Sequence, residues 1–212
     1  TNLGSAAQAG NTNILFTDDT GLAMVGVNTS ATNKPIVPFA FGDTAVAGAG
    51  TSFVTYNINQ ADNNANTDGI RPLDLTTEYT QNAMTSGTNV RITVATNASA
   101  TVAVNSLLID GASLTYSANC TVTVTSGAVA RVSGGDIAAS ASSTSRILTF
   151  GTAEGVIFAI GSFYISPRIS GSGGLTISGG GTVEFPTNAA SYFGATKNYT
   201  GTTTINDGGL NI

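Results

Sequence analysis

Apolar and polar residues alternate in short runs along most of the chain, which is the period of a strand with one buried face. In "NVRITVA" Val90, Ile92 and Val94 fall on one side while Asn89, Arg91 and Thr93 fall on the other. "NCTVTVTSG" repeats the pattern, with Cys120, Val122 and Val124 inward and Thr121, Thr123 and Thr125 outward. The pairs Leu114 and Tyr116, Leu175 and Ile177, Val183 and Phe185, and Leu210 and Ile212 extend it. These predicted strands are short and are separated by clusters such as "SGG", "GSGG" and "SGGG", where glycine reaches positive φ at little cost.

Short strands at this spacing fit either a β-sandwich or a β-solenoid. Internal repetition favours the solenoid. "GGLTI" at 173–177 and "GGLNI" at 208–212 lie 35 residues apart, and "GASLTYS" at 111–117 is a looser echo. Each coil of a solenoid carries a face that only the next coil covers, so apolar residues recur at matching places. On this reading 35 residues span about two coils.

Helical patterning is confined to "PLDLTTEYTQNAM", Pro72 to Met84, which reads as a short helix or as an extended connection. Residues 1–87 are less regular, with "ILF", "LAMVGV", "IVPFAFG" and "SFVTYNI" as candidate strands between polar loops. Pro35 and Pro38 place "IVPFAFG" at an edge or in an isolated extended piece. The organisation expected is an irregular β N-terminal cap region over 1–87 followed by coils over 88–212, one elongated domain in all.

Composition narrows the partners. Charged residues are 9% of the 212, the formal charge is −5, and only seven residues are Lys or Arg, so the basic footprint for nucleic acid or an anionic membrane is missing. The hydrophobic share of 41% supports an ordered core. The longest apolar run, "GVIFAIGSFYI" at 155–165, is far shorter than a spanning helix, so no membrane insertion is expected. "TNLGSAAQAGN" has neither the basic start nor the apolar middle of a secretory signal; either a signal has been removed or residue 1 is not the gene's start.

Residues 170–212 carry "GSGGLTISGGGTVEF", then "NYTGTTTIN", then "GGLNI". This stretch resembles the autotransporter-associated β-strand repeat, also called the passenger-associated transport repeat. Upstream, "GIRPL", "VNSLLIDGASLTYS" and "CTVTVTSGAVARVSGG" look like the segments that precede that repeat in large secreted bacterial proteins. The resemblance implies a right-handed parallel β-helix, export to the cell surface or beyond, and a structural or adhesive passenger role. It brings no catalytic residues and no cofactor.

Candidate chemistry is sparse. Without histidine, Ser-His-Asp and Cys-His sites and the commonest zinc sites are excluded. The single cysteine, Cys120, reads as a packing thiol beside Val122 and Val124. Asp62, Asn64, Asn66 and Asp68 alternate ahead of Gly69, like the oxygen-rich start of a Ca2+ loop; the same run also reads as a surface loop with Asx turns. Tyr192 and Phe193, in the stretch Pro186 to Lys197, are the candidate ligand contacts. Asn28, Asn97, Asn119 and Asn198 stand in Asn-x-Ser/Thr sequons.

The function expected is an extracellular structural protein, a β-helical subunit or segment of a surface fibre, stalk or layer, without enzyme activity. Gly208, Gly209, Leu210 and Ile212 form its candidate assembly interface, awaiting either more of a longer chain or a neighbouring subunit stacked head to tail. The alternatives are an adhesin or carbohydrate-binding module that contacts glycans, and an enzyme of the same fold acting on acidic polysaccharide with calcium.

Overall fold

The structure, a computed structural model, describes residues 22–43, 48–57, 69–141, 143–186 and 197–212. Among them there is no helix, and the strands fall into two compact units, Thr1–Tyr79 and Thr80–Ile212.

The first unit is an antiparallel meander of Val37–Gly42, Ser52–Asn57 and Gly69–Pro72 in that order. The strand holding Pro38 is at the sheet edge, where a residue without an N–H breaks no ladder. Ile36, Val37, Phe53, Val54, Leu73 and Tyr79 form its core, each at most 2% exposed. Tyr79 is anchored by its hydroxyl, 2.9 Å from Ser52 Oγ and accepting from Phe53 N–H at 3.2 Å.

No helix forms over Pro72 to Met84. Asp74 Oδ1 accepts from the N–H groups of Thr76 and Thr77, and Glu78 N–H reaches Asp74 O at 3.0 Å, which completes one turn. Glu78 then turns back onto Arg71 and the Asp74 N–H, and the chain leaves as the short strand Thr80–Gln81. The threonines and Asx turn offered the backbone a local alternative to helix.

Among the described residues, the strands of the second unit pair only in parallel. Sheet A, in order, contains Thr80–Gln81, Asn89–Ile92, Ser106–Ile109, Ala128–Arg131, Gly155–Ala159, Leu175–Ser178 and Thr203–Ile205. Sheet B contains Val102–Val104, Thr121–Val124, Ile147–Thr149, Arg168–Gly171 and Asn198–Tyr199. Sheet C pairs Thr96–Ala98, Leu114–Tyr116 and Ile137–Ala139, and sheet D pairs Ser162–Tyr164, Thr182–Glu184 and Gly209–Asn211. A parallel bridge between Ile137 and Ile165 joins C to D. From Val102 onward the chain visits B, then A, then C or D, and begins again one strand further along each sheet. That all-β, parallel arrangement is consistent with a β-solenoid.

Register explains why these residues alternate. Val90, Leu107, Val129, Ile157 and Ile177 stand opposite one another across sheet A, all 0% exposed, and Ile205 continues the row. In sheet C the buried Tyr116 lies between Ala98 and Ala139, so a large ring is accommodated by two small neighbours in its row. Cys120, Val122 and Val124 are buried as the alternation predicts. Val94 is not: its strand ends at Ile92, and it is 57% exposed. Asn82 Oδ1 accepts from the N–H groups of Thr93 and Val94 and turns the backbone there.

The spacing of the two "GGL" motifs needs correction. Leu175 is in sheet A opposite Thr203, whereas Leu210 is in sheet D opposite Val183. The two copies therefore occupy different sheets, and 35 residues do not correspond to two coils. Successive members of the sheet A row, Val90, Leu107, Val129, Ile157, Ile177 and Ile205, are 17, 22, 28, 20 and 28 residues apart, so coil length varies and no fixed period exists.

Candidate functional site

Two surfaces of the second unit stand out. The first is formed by Asn198–Tyr199, Thr203–Ile205 and Gly209–Asn211, which are the outermost strands of sheets B, A and D. Gly201 and Gly208, at φ 97° and 85°, turn the chain between them. A Cβ on Gly208 would lie 2.0 Å from the carbonyl oxygen of Gly181 in the preceding coil, so glycine is required for that close approach. Gly209 N–H donates to the same carbonyl at 2.9 Å.

Side chains in this coil occupy inward row positions without a second neighbour among the described residues. Ile205 is 50% exposed where Ile157 and Ile177 in its row are 0% exposed. Leu210 continues the row of Phe163 and Val183, and it and Tyr199 are partly buried against the core. Ile212, expected inward with Leu210, lies past the strand's end at Asn211 and is 75% exposed, so it holds no row position. Among the described residues the coil thus presents an apolar row with one side uncovered next to a strand edge without a pairing neighbour, the kind of edge that proteins otherwise cover or pair.

The second surface is an outward row. Tyr164, Glu184 and Asn211 are register partners in sheet D. Asp136 precedes Ile137 in the coil before and accepts from Tyr164 N–H at 3.0 Å through Oδ1. Tyr164 thus lies between two carboxylates about 10 Å apart in backbone steps. Glu184, first by its charge and then by its hydrogen bond to the phenol, pushes the Tyr164 pKa up, and Asp136 adds to this. The effect keeps the phenol protonated and fixed as a donor.

The predicted site residues are distributed differently. Asp62, Asn64, Asn66 and Asp68 lie outside the described residues, as do Tyr192 and Phe193. Among the described residues no three His, Cys, Asp or Glu side chains gather as a metal site. Gly208, Gly209, Leu210 and Ile212 belong to the outermost coil, with Gly208 also serving contacts inside the chain. Cys120 is 4% exposed, its thiol pKa is pushed up by burial, and Sγ lies 3.5 Å from Ala98 O. Asn28, Asn97, Asn119 and Asn198 are all exposed. Sequence reading missed Asp136, Tyr164 and Glu184 as a group, because 28 and 20 residues separate them and only the strand register brings them together.

No family model, curated protein or solved structure matches the chain.

Proposed function

We propose that this chain is an extracellular structural segment of a surface fibre, stalk or layer, folded over its second unit as a right-handed parallel β-helix. The observation that carries this reading is the outermost coil, where Ile205 and Leu210 continue buried rows with one side uncovered, beside strand edges that pair with nothing among the described residues. The covering element is another coil, supplied either by more of a longer polypeptide or by a neighbouring subunit stacked head to tail. Heterologous contacts of the latter kind propagate into filaments. The right hand follows the preference of parallel strand crossovers and the resemblance of residues 170–212 to the passenger repeat. Hydroxyl rows such as Thr123, Thr149 and Ser170 solvate sheet B with little charge. Deleting residues 208–212 tests the reading by electron microscopy: the shortened chain is expected to lose filaments while retaining its β-sheet circular dichroism, and normal filaments would reject head-to-tail stacking.

The alternative, a carbohydrate-binding module, is favoured by the outward row of Asp136, Tyr164 and Glu184. A phenol ring offers a face to the C–H groups of a sugar, and flanking carboxylates accept from its hydroxyls. A glycan array with the wild-type chain and Tyr164→Ala tests it, since binding that survives the substitution unchanged rejects this row as the site.

A further inference from the structure

Ile165, Ser166 and Pro167 are three consecutive buried residues at the corner between the strands Ser162–Tyr164 and Arg168–Gly171. Their carbonyls converge on one atom. Lys197 Nζ donates to Ile165 O at 2.8 Å, to Pro167 O at 2.8 Å and to Ser166 O at 3.4 Å. The same nitrogen lies 5.1 Å from the centre of the Phe185 ring. Ser166 Oγ, in a residue that is 0% exposed, has no hydrogen-bond partner among the described residues. Neither of the two ion pairs among those residues involves Lys197.

Converging carbonyl oxygens with an aromatic face alongside are the chemistry that holds a cation out of water. The chain uses cations in this way elsewhere, but less completely. Arg131 donates to the carbonyls of Gly135 and Ile160, and Arg146 donates to Ala141 O at 2.8 Å. Only at Ile165–Pro167 do three successive carbonyls meet one cationic nitrogen among the described residues. Lys197 immediately precedes the strand Asn198–Tyr199, so its side chain ties the outermost coil to a corner some 30 residues earlier.

We propose that the corner Ile165–Ser166–Pro167 is a cation-binding nest, filled in cis by the Lys197 ammonium, and that its occupancy holds the outermost coil on the coil before it. Without the ammonium, three buried acceptors lose their donor, a loss that the apolar stem of the lysine does not replace. Burial pulls the Lys197 pKa down to about 8, which still leaves the side chain mostly charged at neutral pH. The ligand class follows from the geometry: primary ammonium ions, which carry both a charge and three donors. This inference does not depend on what covers the outermost coil.

The test is hydrogen exchange on the full chain at neutral pH. In Lys197→Ala the amides of Thr200, Asn206 and Gly209, which donate to the carbonyls of Gly171, Ile177 and Gly181 in the coil before, are expected to exchange about tenfold faster, while those of Leu107 and Val129 stay unchanged. Propylammonium chloride is expected to restore most of that protection, and tetramethylammonium chloride at equal ionic strength is not, because it has no N–H. Unchanged exchange in Lys197→Ala, or equal rescue by both salts, would overturn the proposal. Lys197→Met keeps the stem over Phe185 without the charge; if it protects the outermost coil as well as lysine does, packing alone explains the contact and the nest is rejected. This second variant also decides the matter if Lys197→Ala does not fold.

Discussion

Tyr116 shows how finely a side chain's surroundings set its contribution. Its ring is wholly buried, and its hydroxyl has no hydrogen-bond partner among the described residues; burial pushes its pKa well above the ordinary value. A buried polar atom that makes no bond costs about 1–3 kcal/mol. Tyr116→Phe removes that atom and keeps the ring between Ala98 and Ala139, so the variant is expected to be more stable by about 1 kcal/mol in urea unfolding. Glu78 has the opposite balance. Burial raises its pKa, but the hydrogen bonds from Arg71 at 2.6 and 2.7 Å, the Asp74 N–H and the Arg71 charge outweigh burial and leave it lowered. A carboxyl lowered on folding gives stability that is present above its unfolded pKa and is lost as pH falls through its folded value. Glu78→Gln is therefore expected to cost about 2 kcal/mol at neutral pH, with the difference from wild type shrinking as pH falls below the unfolded carboxyl value of about 4.3 and vanishing once pH is below the lowered folded one. Denaturant unfolding followed by tyrosine fluorescence at several pH values measures it; a difference that persists undiminished at pH 2 would refute the assignment.

At the scale of elements, the turns decide which strands come to face one another. Gly127, at φ 78°, lies where an added Cβ would stand 1.8 Å from the Glu154 carbonyl oxygen, on the corner of the adjacent coil. Both the backbone conformation and the contact forbid a side chain, so Gly127→Ala is expected to destabilise the second unit by about 2 kcal/mol or more, as read from its melting temperature. A loss below about 0.5 kcal/mol would show that this corner relaxes. Much of this level was legible in the chain itself. The alternation of Val122 and Val124 with threonine marked the inward face, and the glycine clusters marked the corners. Pro38 marked an edge. What escaped was pairing at long range: Leu210 faces Val183 and not Leu175, because insertions at the corners change coil length while leaving each strand's pattern intact. Val94 escaped for a local reason, since its period is strand-like while Asn82 claims its N–H from twelve residues away. Of the candidate surfaces, the outermost coil could be read from "GGLNI", whereas the row through Tyr164 could not be read before Asp136 and Glu184 were known to flank it.

For the second unit as a whole, each strand in a sheet pairs only with the strands of adjoining coils, so stability is close to a sum of coil terms and neighbour terms. A side chain in the middle of the sheet A row touches neighbours on both sides, and one at its end touches a single neighbour. Ile157→Ala is accordingly expected to cost about 2–5 kcal/mol, while the half-exposed Ile205 tolerates change far better. This asymmetry separates folding from assembly. Ile205→Lys places a charge on the uncovered side of the outermost coil, where water still reaches it in the isolated chain, so its melting temperature is expected to stay within a few degrees of wild type. Once another coil covers that position the ammonium is buried without a partner, which costs several kcal/mol and blocks the contact. The expected outcome is a folded chain whose sedimentation remains monomeric at concentrations where the wild type associates. If the lysine variant associates as strongly as wild type, this edge is not the assembly surface; if it unfolds, Ile205 belongs to a core more closed than its exposure indicates, and the uncovered row loses its meaning.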